Sequence, residues 1–88
     1  IFYFTSDRRK ITCVTTARNY TFYGKLDAVA TDLKSGFVRI HQRYLVRSAA
    51  IDRIEGSEAV LTDGARLPIS RSCRDAALLA VTYAGFEE

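Results

Sequence analysis

Hydrophobic and polar positions along this chain alternate with a period of two, switch to a helical period, then alternate again. Ile1–Thr5 reads as a strand of β-branched and aromatic residues. Ser6-Asp7-Arg8-Arg9 reads as a turn. Lys10–Thr15 is a second strand, with Ile11 and Cys13 on one face and Thr12 on the other. Ala17-Arg18-Asn19 turns the chain into a third strand, Tyr20–Tyr23, ended by Gly24. Three short strands with tight turns predict a meander.

Lys25–Lys34 changes period. Leu26, Val29, Ala30 and Leu33 fall on one face of a helix expected to pack on the sheet. Asp27 near its start and Lys34 near its end suit the helix dipole, and Ser35-Gly36 is expected to stop it. Strands follow at Phe37–Ile40, Leu45–Arg47 and Ile51–Glu55. Glu58–Thr62 and Arg66–Ser70 flank Asp63-Gly64, a hairpin signal because Gly accepts positive φ. Pro68 cannot donate to a ladder, which predicts an edge strand. Ser72-Cys73-Arg74-Asp75 has capping-box spacing, so a terminal helix over Ala76–Ala84, closed by Gly85, is expected. Its apolar residues circle the axis, which suggests burial or a packed neighbour. The fold class is mostly β with two helices, and a doubly wound sheet is disfavoured.

At 88 residues the chain is one domain, 1–88, with a single modest core. Ile1 starts as if at the edge of a strand, so a longer chain is expected upstream. No apolar run approaches the roughly 20 residues that span a bilayer. Residues 1–54 carry ten Lys/Arg against four Asp/Glu, while residues 55–88 carry three against six. A basic half beside an acidic half suits a polyanion on one face.

Gly36 to Arg47 holds the most chemistry. His41, Gln42 and Arg43 stand together between the apolar anchors Phe37–Ile40 and Tyr44–Val46. Such a cluster on a short loop suits reading an acidic surface. One histidine and two separated cysteines make no convincing zinc set, and no Gly-rich phosphate loop or nucleophile elbow occurs. No enzyme, cofactor or small-molecule substrate is expected. His41 is read as a residue that bonds locally and orients its loop, Cys13 and Cys73 as buried reduced thiols, and Tyr3, Tyr20, Phe22 and Tyr23 as core.

Gly-Phe-Val-Arg-Ile-His-Gln-Arg-Tyr-Leu-Val (36–46) and Leu-Thr-Asp-Gly-Ala-Arg-Leu-Pro-Ile-Ser-Arg (61–71) resemble the LytTR family of bacterial DNA-binding domains. Tyr-Thr-Phe-Tyr-Gly-Lys-Leu (20–26) resembles the segment leading into that family's helix. The resemblance covers nearly the whole chain. It implies an elongated LytTR-like β fold, the output half of a cytoplasmic two-component response regulator, and a receiver domain upstream. It implies loops entering successive major grooves of double-stranded DNA, with paired promoter repeats bound as a homodimer. Carried over by position, the DNA-binding residues are Arg8, Arg9 and Lys10, then His41, Gln42 and Arg43, then Arg71, Ser72 and Arg74. The family pattern often has Ser where this chain has Arg43 and Asn where it has Arg47. Arg71 suits guanine and Gln42 suits adenine in the major groove. Lys10, Arg43 and Arg74 suit phosphate, and Ser72 suits either an anion at the helix start or a plain helix cap. The alternative from composition is a small β-rich protein-interaction or dimerisation module facing an acidic partner.

Overall fold

A computed structural model describes residues 1–32 and 36–87, with side chains as far as Thr82. The elements, in order, are β1 (Tyr3–Asp7), β2 (Lys10–Val14), β3 (Asn19–Tyr23), α1 (Leu26–Asp32), β4 (Phe37–His41), β5 (Tyr44–Arg47), β6 (Ile51–Glu55), β7 (Glu58–Leu61), β8 (Arg66–Pro68) and α2 (Arg74–Glu87). Two short 3-10 turns, Ser48–Ala50 and Arg71–Cys73, precede β6 and α2. The first five strands form one sheet in the order β3-β2-β1-β5-β4, and the last three form a second in the order β6-β7-β8. Every pairing is antiparallel. The molecule measures 33 Å along its longest axis and 24 Å along its shortest.

Period-two alternation sends neighbouring residues of the first sheet into different layers. Phe4, Ile11, Cys13 and Leu45 face α1 and pack with its Leu26, Val29 and Ala30. Ile40 and Val46 face the other way, onto Ile51, Ala59, Leu61, Leu67 and Ile69 of the second half, with Ala77 of α2 closing the cluster. Ile11, Ile40, Leu61 and Val46 are essentially solvent-free, and burying such a side chain contributes about 1.5–3 kcal/mol each. The rigid middle of the molecule is thus the β1-β5-β4 ladder, clamped from both sides.

The predicted strands are present with shifted ends, β1 running on through Ser6 and Asp7 and β8 stopping at Pro68, and Leu26, Val29 and Ala30 of the predicted α1 face pack on the sheet. Leu33, Lys34 and Ser35, and so the predicted helix stop, lie outside the described residues. Pro68 stands on β8, the edge strand of the second sheet, as its missing N–H requires. Asp63-Gly64 turns the β7–β8 hairpin, with Gly64 at φ +90° and Asp63 Oδ1 accepting from Ala65 N at 3.0 Å.

Three expectations are corrected. Gly85 does not close the terminal helix: α2 runs on to Glu87. A lone glycine weakens a helix by only about 1 kcal/mol and does not by itself end one. The aromatic residues of β3 are not core: Tyr20, Phe22 and Tyr23 are 50%, 41% and 83% exposed. Tyr20 and Phe22 pair with Cys13 and Ile11, but β3 is the outer strand and α1, at seven residues, packs over β1 and β5. Finally, Cys13 is buried but Cys73, at the end of the second 3-10 turn, is only partly so.

Candidate nucleic-acid interface

Arg8 and Arg9 form a two-residue loop between β1 and β2, closed by the Asp7–Lys10 pair. Arg8 has φ +62°, an unusual conformation for a residue with a Cβ. It is what a two-residue hairpin demands of a loop residue. Arg8, Arg9 and Lys10 are all exposed, and none is ion-paired among the described residues.

Gln42 and Arg43 form the corresponding loop between β4 and β5, closed by the His41–Tyr44 pair. Because β1 and β5 are antiparallel neighbours, the end of β1 and the start of β5 lie together. Both hairpin tips therefore sit at one end of the first sheet. Ser6 N donates to Arg43 O at 2.9 Å, and Arg43 Nε donates to Ser6 O at 2.9 Å. Asp7 lies 3.8 Å from the Arg43 guanidinium. His41 is half-buried, stands edge-on to Tyr44, and accepts the Arg43 backbone N–H on Nδ1 at 3.2 Å. The predicted local, loop-orienting bond of His41 is present.

The third loop joins from the other side. Ser70 N donates to Ile40 O at 2.8 Å, one residue before His41. That bond seats Arg71 and Ser72 next to the 41–43 loop. Arg71 is exposed and free of ion pairs among the described residues. Arg74 is exposed too, and its guanidinium bonds the Gly56 carbonyl.

Ser72 does not form the predicted capping box. It lies inside the Arg71–Cys73 turn, which runs directly into α2, and Ser70 flanks that turn in extended conformation without a side-chain cap bond. The Ser72 hydroxyl sits 3.4 Å from that of Ser70. A 3-10 turn ahead of the helix moved the start by two residues, which local spacing does not reveal.

The structure thus brings the nine residues into a row of three adjoining loops: 8–10, 41–43 and 71–74. Basic residues elsewhere divide: Arg18, Lys25 and Arg47 are exposed without an ion pair among the described residues, whereas two arginines of the second sheet are paired. On the second sheet Arg53 bonds Asp52 and Glu55, and Arg66 reaches Glu55 and Glu58. The Arg53 hydrogen bond, then its charge, holds the Glu55 carboxyl below the usual range. Those arginines neutralise their own face, while on the loops Arg8, Arg9, Lys10 and Arg71 stay free of ion pairs among the described residues.

Sequence reasoning missed Arg39. The sequence places it only within the Phe37–Ile40 strand, yet its guanidinium donates to the His41 carbonyl at 2.8 Å and the Gln42 carbonyl at 2.6 Å, and pairs with Asp27. The available signal was an arginine two residues before the loop, on a strand face where a partly buried charge needs partners.

Known proteins share this chain's sequence profile and its fold. The family profile of the LytTr DNA-binding domain matches residues 1–79. Among solved structures, the LytTr DNA-binding domain of a Bacillus cereus protein described as a methyl-accepting/DNA response regulator superposes with a TM-score of 0.79 at 21% identity. The match covers 92% of this chain and 80% of that one. None of the curated proteins matches in sequence. A profile match over residues 1–79, on a fold with eight strands in two sheets among the described residues, leads to one assignment: the chain belongs to the LytTR family of DNA-binding domains.

Proposed function

We propose that this domain binds duplex DNA sequence-specifically, as the output domain of a bacterial two-component transcription regulator acting in the cytoplasm. The observation that carries the reading is the row of loops tied together by the Ser6–Arg43 and Ile40–Ser70 backbone bonds. A row fixed by main-chain bonds presents its side chains at set intervals, as successive grooves require.

Gln42 and Arg71 are the base readers. An amide side chain matches N6 and N7 of adenine, and a guanidinium matches O6 and N7 of guanine. Arg8, Arg9, Lys10, Arg43 and Arg74 neutralise phosphates and fix the register, and Ser72 offers its hydroxyl beside them. His41 holds the middle loop. Three inter-strand spacings, about 14 Å, separate β2 from β4, and the third loop lies beyond β4. Long arginine arms extend the row at both ends, so loops at its two ends reach adjacent major grooves. Two copies occupy paired repeats.

Footprinting on a DNA duplex enriched by this domain tests the reading. Two protected tracts about 10 bp apart on one face of the helix are expected for each bound copy. One short tract confined to a single groove would contradict it.

A further inference from the structure

We infer that Arg39 is the positioning residue for base readout: a buttress behind the 41–43 loop that sets where Gln42 points without touching DNA itself.

Arg39 lies on β4, with its side chain 30% exposed. Its guanidinium is divided among three partners. Nε bonds the His41 carbonyl, Nη2 bonds the Gln42 carbonyl, and Nη1 meets the Asp27 carboxylate on α1. Two consecutive loop carbonyls are thus held by one rigid group. The β4–β5 register shifts between Arg39 and His41, so the regular ladder is interrupted just where the loop begins. From this point the orientation of the peptide planes is set by the guanidinium.

The three bonds are not equal. The Asp27 carboxylate is 88% exposed, and an ion pair in that setting contributes little. The carbonyl bonds are charge-assisted, and the planar fork fixes both distance and direction. A lysine has no such fork and holds one carbonyl at best. The Gln42 side chain stands on the same peptide unit that Arg39 grips, and bidentate pairing with a base tolerates little misorientation. Arg39 is spent on the protein, so its removal changes the accuracy of reading more than the attraction to phosphate.

The assignment rests on the base-reading role of Gln42 proposed above, and the test separates the two. Wild type, Arg39→Gln, Arg39→Lys, Asp27→Asn, Gln42→Ala and the Arg39→Gln/Gln42→Ala double variant are titrated against an enriched duplex and a scrambled one. Thermal melting is recorded alongside. Arg39→Gln is expected to lose about 10–100-fold in preference for the enriched duplex. Its binding to the scrambled duplex should stay within about 2-fold of wild type, on the rule that contacts outside the phosphate set leave non-specific binding intact. Arg39→Lys should fall between the two, and Asp27→Asn should behave as wild type. In the Arg39→Gln background, Gln42→Ala should cost nothing further, because the base contact is already gone. Additive losses, or an Arg39→Gln variant that keeps full preference while Gln42→Ala loses it, overturn the positioning role alone. Absence of any preference in wild type overturns the base-reading proposal itself. Should Arg39→Gln melt without cooperativity, the Arg39→Lys/Gln42→Ala combination decides, since non-additivity is expected there as well.

Discussion

Ser6 and Arg43 are bonded to each other twice, once through the Ser6 amide to the Arg43 carbonyl and once through Arg43 Nε to the Ser6 carbonyl, each at 2.9 Å. The pair joins the end of β1 to the tip of the β4–β5 hairpin. Two loops that are distant in sequence become one surface.

Arg43→Ala removes one of these bonds and an exposed positive charge. The backbone bond remains, so stability should fall by no more than about 1 kcal/mol. Affinity for DNA should fall by similar factors on enriched and scrambled duplexes, and the dependence of log K on log salt should flatten by about one unit, as loss of a phosphate contact predicts. Anisotropy titrations at several salt concentrations check this. A loss confined to one base position would instead mark Arg43 as a base reader.

Arg8 separates stability from binding. Its φ of +62° is strained for arginine and natural for glycine. Arg8→Gly should therefore stabilise the fold by about 1 kcal/mol. The same change removes a cation from the loop row, so non-specific DNA binding should weaken while the melting temperature rises. Calorimetry and binding at one salt concentration measure both. A variant that loses stability would show that the loop depends on the arginine side chain.

The two thiols should react at different rates. Burial pushes the Cys13 thiol up from its ordinary range and shuts out reagents. Cys73 is partly open at the start of α2. An alkylating reagent at neutral pH should label Cys73 first, and Cys13 only on a timescale set by unfolding. Mass spectrometry of a time course reads this directly, and equal rates would contradict the burial of Cys13.

Much of this was legible along the chain, and the gaps have physical causes. Asp63-Gly64 announced its hairpin because a positive φ leaves a composition mark. Gly56-Ser57 carries a similar mark, with Gly56 at φ +60° between the paired Glu55 and Glu58. The polar run Ser6–Arg9 predicts a turn, but Ser6 and Asp7 extend β1 and only Arg8-Arg9 make the loop, whose strained arginine has no sequence signature. The basic loops were found as three separate runs. Their meeting was not readable, because it depends on Ser6–Arg43 and Ile40–Ser70 bonds between segments about 30 residues or more apart. Tyr20 and Phe22 look like core residues in isolation. They stay exposed because an edge strand lies beyond the reach of a seven-residue helix. Arg39 was invisible for the same reason that it matters: its partners are main-chain carbonyls, which every residue has.

The central claim is that the loop row reads DNA sequence, and selection from random duplexes at physiological salt tests it most directly, with Arg71→Ala carried in parallel. Arg71 is exposed and ion-pair-free among the described residues, so the variant should fold as wild type. Wild type should enrich a repeated motif. Arg71→Ala should blur one position of it and lose about 1–3 kcal/mol on the enriched duplex. No enrichment by the folded wild-type domain, or an identical motif from Arg71→Ala, would contradict the account.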